Sequence, residues 1–152
     1  MNEMDLGFNQ QSKMFIMKKM IVPIDFSDVS RNAAIYAAKM SADMKDSEIL
    51  LYHVYAKYTA GADGSPLSAD DEARKTITES ALNNIRKDLL YLTAAKVSIL
   101  AEEGDLPNNL ELLVRHSDAQ LVIMGISGST KLDQILIGSN TLKVIRKISF
   151  PV

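Results

Sequence analysis

The chain has no cysteine and no tryptophan among its 152 residues. Without thiols it has no disulfide framework, no thiol nucleophile and no cysteine-ligated metal, and this composition fits a reducing cytoplasm. Its two histidines, His53 and His116, stand far apart and suggest no metal cluster. Neither sign of charge dominates, since 17 basic and 19 acidic residues leave a net charge of -2. Nothing electrostatic therefore points to a nucleic acid or an anionic membrane as partner. No apolar run reaches the ~18 residues of a membrane span. The opening MNEMDLGFNQQSK lacks the basic and apolar regions of a signal peptide. We read residues 1–17 as a flexible polar leader and residues 18–152 as one domain.

The elements alternate in period. KKMIVPIDF carries a short β-branched run of the kind buried on both faces of a parallel sheet. A helical period follows, with Ser27 or Asp28 as its cap and Ala33, Ala34, Ala37, Ala38 and Met40 as a small-residue stripe. EILLYHVYA reads as a second strand, and Thr59 to Ser68 as a loop. A long helix then shows Ala73, Ile77, Ala81, Ile85, Leu89 and Leu92 on one line. KVSILAEEGD, LPNNLELLVRHSD, AQLVIMGI and SNTLKVIRKI supply strand, helix, strand and helix, the last with Leu142, Ile145 and Ile148 inward. Alternation of this kind predicts βαβ crossovers and a mostly parallel sheet, with a ligand crevice beyond the carboxyl ends of its strands. Asp25 and Gly125 both fall just past strand ends.

Glycine is scarce, yet three of the seven stand in VIMGISGSTKLDQILIGSNTLKVI, at Gly125, Gly128 and Gly138. Such a cluster calls for positive φ or for the close approach of another group. Neither the GxxxxGK[ST] phosphate loop nor the GxGxxG dinucleotide fingerprint is present. Gly138, Ser139 and Asn140 precede a helix, whose unpaired N–H groups and dipole suit an anion. Ser139 or Asn140 can equally serve as an ordinary N-cap. Asp25 has two readings of similar weight, a cap for the following turn or an acceptor for sugar hydroxyls. His53 reads first as a hydrogen-bonded structural histidine and His116 as a surface or capping group near a helix end. Tyr52, Tyr55 and Tyr58 read as packing and surface residues, and the acids of AEEGD as a solvated turn.

Taken together, MIVPIDFSDVS, ILLYHV, EEGD, LVIMGISG and ILIGSNT resemble the universal stress protein family. The spacing Gly125, Gly128, nine residues, Gly138 and Ser139 matches the signature of its ATP-binding branch. The resemblance implies a three-layer α/β open sandwich, Rossmann-like and akin to the adenine nucleotide alpha hydrolases. Its parallel sheet would have strand order 3-2-1-4-5, with the fifth strand truncated at Pro151 and Val152. It further implies ATP or another adenine nucleotide as ligand, with Mg²⁺ or Mn²⁺ carried mainly by the phosphates. Pro23 and Asp25 would lie at the adenosine, with Asp25 on the ribose. The Val54 backbone would meet the adenine edge, Met124 would pack nearby and Gly125 would flank the ribose. Gly128, Gly138, Ser139 and Asn140 would hold the phosphates. The implied role is a regulatory, non-catalytic stress-response protein or at most a slow ATPase. The alternatives are a nucleotide-free interaction scaffold and half of a tandem stress protein, with a homodimer or a tandem second domain as partner. A shortened fifth strand would leave the edge groups of the fourth unpaired.

Overall fold

In the computed structural model, the described residues are 18–56, 68–126 and 139–152. Residues 1–17, 57–67 and 127–138 lie outside them, and with them the expected leader, the expected loop from Thr59 up to Ser68, which instead begins a helix, and Gly128 and Gly138. Strands β1 (Lys19–Pro23), β2 (Glu48–Tyr55), β3 (Lys96–Glu103) and β4 (Leu121–Val122) alternate with helices α1 (Asp28–Ser41), α2 (Ser68–Leu89), α3 (Leu106–His116) and α4 (Ser139–Lys147). The sheet order is β3-β2-β1-β4 and every pairing is parallel. This is the α/β sheet that the alternation predicts.

Side-chain parity along the strands builds the three layers. Met20, Val22, Ile49 and Leu51 point to one face, where Ala33, Ala34, Ala37 and Ala38 of α1 and Leu82, Ile85 and Leu89 of α2 cover them. Ile21, Leu50, Tyr52 and Val122 point to the other, under Leu110 and Val114 of α3, Val144 of α4 and Ile148 just after it. Two helix faces differ from the expected ones. In α2 the buried line is Thr78, Leu82, Ile85 and Leu89, while Ala73, Ile77 and Leu92 are exposed. A threonine one residue along takes the place in the stripe that apolarity alone assigned to Ile77. Leu92 lies past the helix, in a turn closed by bonds from the N–H groups of Leu92 and Thr93 to the Leu89 carbonyl. In α4, Thr141 and Val144 are inward, as is Ile148 just after it, whereas Ile145 is exposed.

The fourth strand is shorter than AQLVIMGI, with only Leu121 and Val122 in the ladder. Its outer edge is not bare. The Val122 N–H donates to the Pro151 carbonyl at 2.9 Å, so at this residue the segment after α4 meets the edge, while the sheet of the described residues has four strands.

Tyr52, fully buried, donates its hydroxyl to Glu102 Oε2 at 2.7 Å. Burial first, and then the bond to Glu102 and its charge, push the phenol well above the ordinary tyrosine range. Glu102 thus belongs to the packing and not to a solvated turn. Tyr52→Phe leaves that carboxylate without its donor, at about 1–2 kcal/mol. The expected result is a melting temperature lower by roughly 2–8 °C in a thermal scan, and a Tyr52→Phe chain that melts with wild type contradicts it.

Candidate functional site

The carboxyl end of β1 is where the chain leaves the sheet. Asp25 is exposed there, and its Oδ1 accepts from the Ser27 N–H at 3.0 Å and from the Ser27 hydroxyl. Ser27 in turn caps α1 by accepting from the Ser30 N–H, and the Ser30 hydroxyl donates to the Ser27 carbonyl. Between them Phe26 holds φ at 65°, a left-handed conformation that costs an aromatic residue about 1–2 kcal/mol. Its ring lies on that of His53, with centroids 4.8 Å apart.

Partial burial raises the Asp25 pKa. Hydrogen bonds from the Ser27 and Ser30 hydroxyls and from the N–H groups of Ser27 and Asp25 outweigh it and hold the carboxyl below its ordinary value of 3.8. A depressed folded-state pKa stabilises the fold above the unfolded pKa, and that contribution disappears as pH falls through the folded value. The difference in melting temperature between wild type and Asp25→Asn is therefore expected to stay constant down to about pH 5 and to shrink below about pH 4. A difference that grows with acidity contradicts this assignment.

A cavity of about 360 Å³ opens beside this turn, beyond the ends of β1, β2 and β4. It sits where the strand order reverses, because the chain runs outward from β1 to β2 and β3 and then crosses back to β4 on the other side. That is the crevice position of open parallel sheets. Pro23, Asp25, Val54, Met124, Gly125 and Asn140 all line it. Ser139 opens α4 beside Asn140. Six of the nine sequence-selected residues thus meet around one space. His53, Val29, Leu106 and Thr141 also line it and were not selected. His53, expected first as a hydrogen-bonded structural histidine, bonds through Nδ1 to the Ile24 carbonyl at 2.6 Å and is also part of the wall.

Gly125 meets the second of the two expectations for a glycine, the close approach of another group. Its φ is not in the left-handed region, and a Cβ there would lie 2.5 Å from both the Val29 carbonyl oxygen and Val29 Cγ1. What approaches Gly125 is the first turn of α1. On its other side the Thr141 hydroxyl donates to the Gly125 carbonyl at 3.3 Å. One residue thus ties α1, β4 and α4 together at the cavity.

The family model described as Universal stress protein family matches residues 17–152. The chain belongs to the universal stress protein family. Among the family's curated members, Universal stress protein MJ0531 of Methanocaldococcus jannaschii is 29% identical over 141 residues, covering 90% of this chain and 81% of its own. Universal stress protein MJ0577 of the same organism is 29% identical over 151 residues, covering 89% and 92%. The solved structure of MJ0577 superposes with a TM-score of 0.68, covering 90% of this chain and 93% of its own. A universal stress protein family protein from Arabidopsis thaliana, solved with AMP bound, is 14% identical with a TM-score of 0.56 and covers 88% of each chain. At that identity the Arabidopsis likeness speaks for the fold alone.

Proposed function

We propose that this universal stress protein binds an adenine nucleotide, ATP above all, in the cavity beyond β1, β2 and β4. The observation that carries the reading is the meeting of Asp25, Val54, Met124 and Asn140 around one space. Its volume of about 360 Å³ lies within the roughly 300–1,000 Å³ of small-molecule sites. The lining divides by chemistry. Pro23, Val54, Leu106 and Met124 offer apolar surface for a base, and Asp25, Ser27, Asn140 and Thr141 offer polar groups for ribose and phosphates. Asp25, kept ionised by its hydrogen bonds, accepts from the ribose hydroxyls. The phosphates lie toward the start of α4, whose N–H groups and dipole favour negative charge, with Ser139 and Asn140, and the family spacing assigns Gly128 and Gly138 to the same phosphates. AMP in the Arabidopsis relative supports the ligand class.

Asp25 is the one carboxylate among the described residues that line the cavity, and those residues form no group of three or more metal-ligating side chains. Mg²⁺ or Mn²⁺ would accordingly be held by the phosphates. The reading is regulatory and not catalytic. Asp25 is engaged by Ser27, and His53 Nδ1 by a carbonyl, so neither is poised as a general base. A homodimer or a tandem partner would sense occupancy through the elements joined at Gly125.

Protein incubated with ATP, desalted and denatured is expected to release an adenine nucleotide, identified by mass spectrometry of the supernatant. Release of no nucleotide, or of a different cofactor in stoichiometric amount, contradicts the reading.

A further inference from the structure

In a parallel ladder, the N–H and carbonyl of one residue face the same neighbouring strand, and those two residues on face it again. Tyr52 faces β1, because its carbonyl accepts from the Ile24 N–H at 2.7 Å. Val54 therefore turns its N–H and carbonyl to the same side. The register of β1 with β2 ends at Pro23 opposite Tyr52, so Val54 faces past the end of β1, and it lines the cavity. A continuing ladder would bring the Val54 N–H to the Ile24 carbonyl. That carbonyl is instead engaged by His53 Nδ1. Because a carbonyl only accepts, Nδ1 carries the proton in this bond.

The same ring supports the turn. Phe26 stays in a left-handed conformation only while its surroundings hold it there. The hydrogen bonds among Asp25, Ser27 and Ser30 hold one side, and the His53 ring holds the other. Residue 53 thus fixes two features at once, the end of the β1 ladder and the conformation of the residue next to Asp25.

We propose that His53 is the positioning residue of this site. It holds the Ile24 carbonyl and the Phe26 ring so that the β1–α1 turn stands clear of β2, which leaves the Val54 backbone pair open to a nucleobase. Val54 N–H and carbonyl then offer a donor and an acceptor side by side, a pattern that selects between base edges. This inference rests on the nucleotide reading above.

The test compares wild type, His53→Leu and His53→Asn. Asparagine places an N–H donor near the position of Nδ1, and leucine does not. Titration with ATP, GTP and inorganic tripolyphosphate separates base recognition from phosphate binding. In His53→Leu, ATP affinity is expected to fall about tenfold, with the preference for ATP over GTP narrowing and tripolyphosphate affinity unchanged. His53→Asn is expected to recover most of the loss. Equal loss for ATP and tripolyphosphate, unchanged ATP binding in His53→Leu, or no recovery in His53→Asn overturns the proposal. A wild type that binds none of the three overturns the nucleotide reading with it. The ring itself gives a check that needs no ligand: ¹⁵N spectra of His53 are expected to show the Nδ1–H tautomer with a slowly exchanging proton. An Nε2–H tautomer contradicts the positioning role whether or not nucleotide binds.

Discussion

Gly125→Val is expected to lose roughly 3 kcal/mol of stability or more, a fall in melting temperature of about 6–12 °C for a chain of this size. The reason is backbone against backbone. A Cβ at residue 125 would meet the Val29 carbonyl oxygen at 2.5 Å and the carbonyl carbon at 2.7 Å. Those atoms belong to the first turn of α1 and cannot rotate away as a side chain can. Either α1 lifts from the sheet or the chain after β4 is displaced, and the Thr141 bond to the Gly125 carbonyl opens with it. Both movements distort the cavity wall, so nucleotide affinity falls as well. Val29→Gly removes the Cγ1 contact and leaves the carbonyl contacts, so the pair Gly125→Val with Val29→Gly is expected to recover only part of the lost stability. Full recovery would place the collision in the side chain and contradict the account. Differential scanning calorimetry of the four proteins reads the outcome directly.

Ligand binding supplies the second large effect. A nucleotide that binds the folded chain alone stabilises it by about 2.7 kcal/mol at a hundred times its dissociation constant, which corresponds to roughly 5–11 °C. With saturating ATP and Mg²⁺ the wild-type melting temperature is expected to rise by that amount. Asp25→Asn keeps a side chain of the same shape and loses the charge that accepts from the ribose. A hydrogen bond to a charged group is worth about 1.5–3 kcal/mol, so the variant is expected to bind ATP tenfold to a hundredfold more weakly. At the ATP concentration used for wild type, about half of the shift or more should disappear. The loss should also be specific to nucleosides, because Asp25 faces the sugar in this reading. Inorganic tripolyphosphate is expected to bind wild type and Asp25→Asn alike. Equal ATP shifts in the two proteins contradict the role of Asp25.

Periodicity made the framework legible. The β-branched run through Met20 to Val22 and the alanine stripe of α1 were decided by residue type, and both pack as read. Apolar spacing served less well where a polar residue shares the buried face. Thr78 and Thr141 are buried, and a line drawn through aliphatic residues alone rotates α2 toward Ile77 and α4 toward Ile145. The open edge expected of the fourth strand came from the family resemblance, whose fifth strand would be truncated at Pro151 and Val152. A single carbonyl, that of Pro151, meets Val122, and main-chain pairing of that kind leaves no mark on side-chain composition.

Strand ends, glycines and a helix start pointed to Asp25, Gly125 and Asn140 of the candidate site, whereas Pro23, Val54 and Met124 came with the family resemblance. The reason for each glycine was not legible. Gly125 serves the approach of Val29, a contact between residues 96 positions apart that no local pattern encodes. His53 was read as a hydrogen-bonded structural histidine, and it is one, but its partner and its place in the cavity wall were not legible. A histidine inside a strand sequence signals burial, and its bond to the Ile24 carbonyl depends on where β1 stops relative to β2. Ladder ends are properties of the assembled sheet.

The central claim is that the cavity is a nucleotide site, and direct calorimetric titration of the purified chain with ATP tests it most plainly. The account predicts one saturable site that AMP competes for, with binding weakened by Asp25→Asn and by Gly125→Val. Absence of saturable heat for both ATP and AMP at millimolar concentration, from a chain shown to be folded, would contradict it.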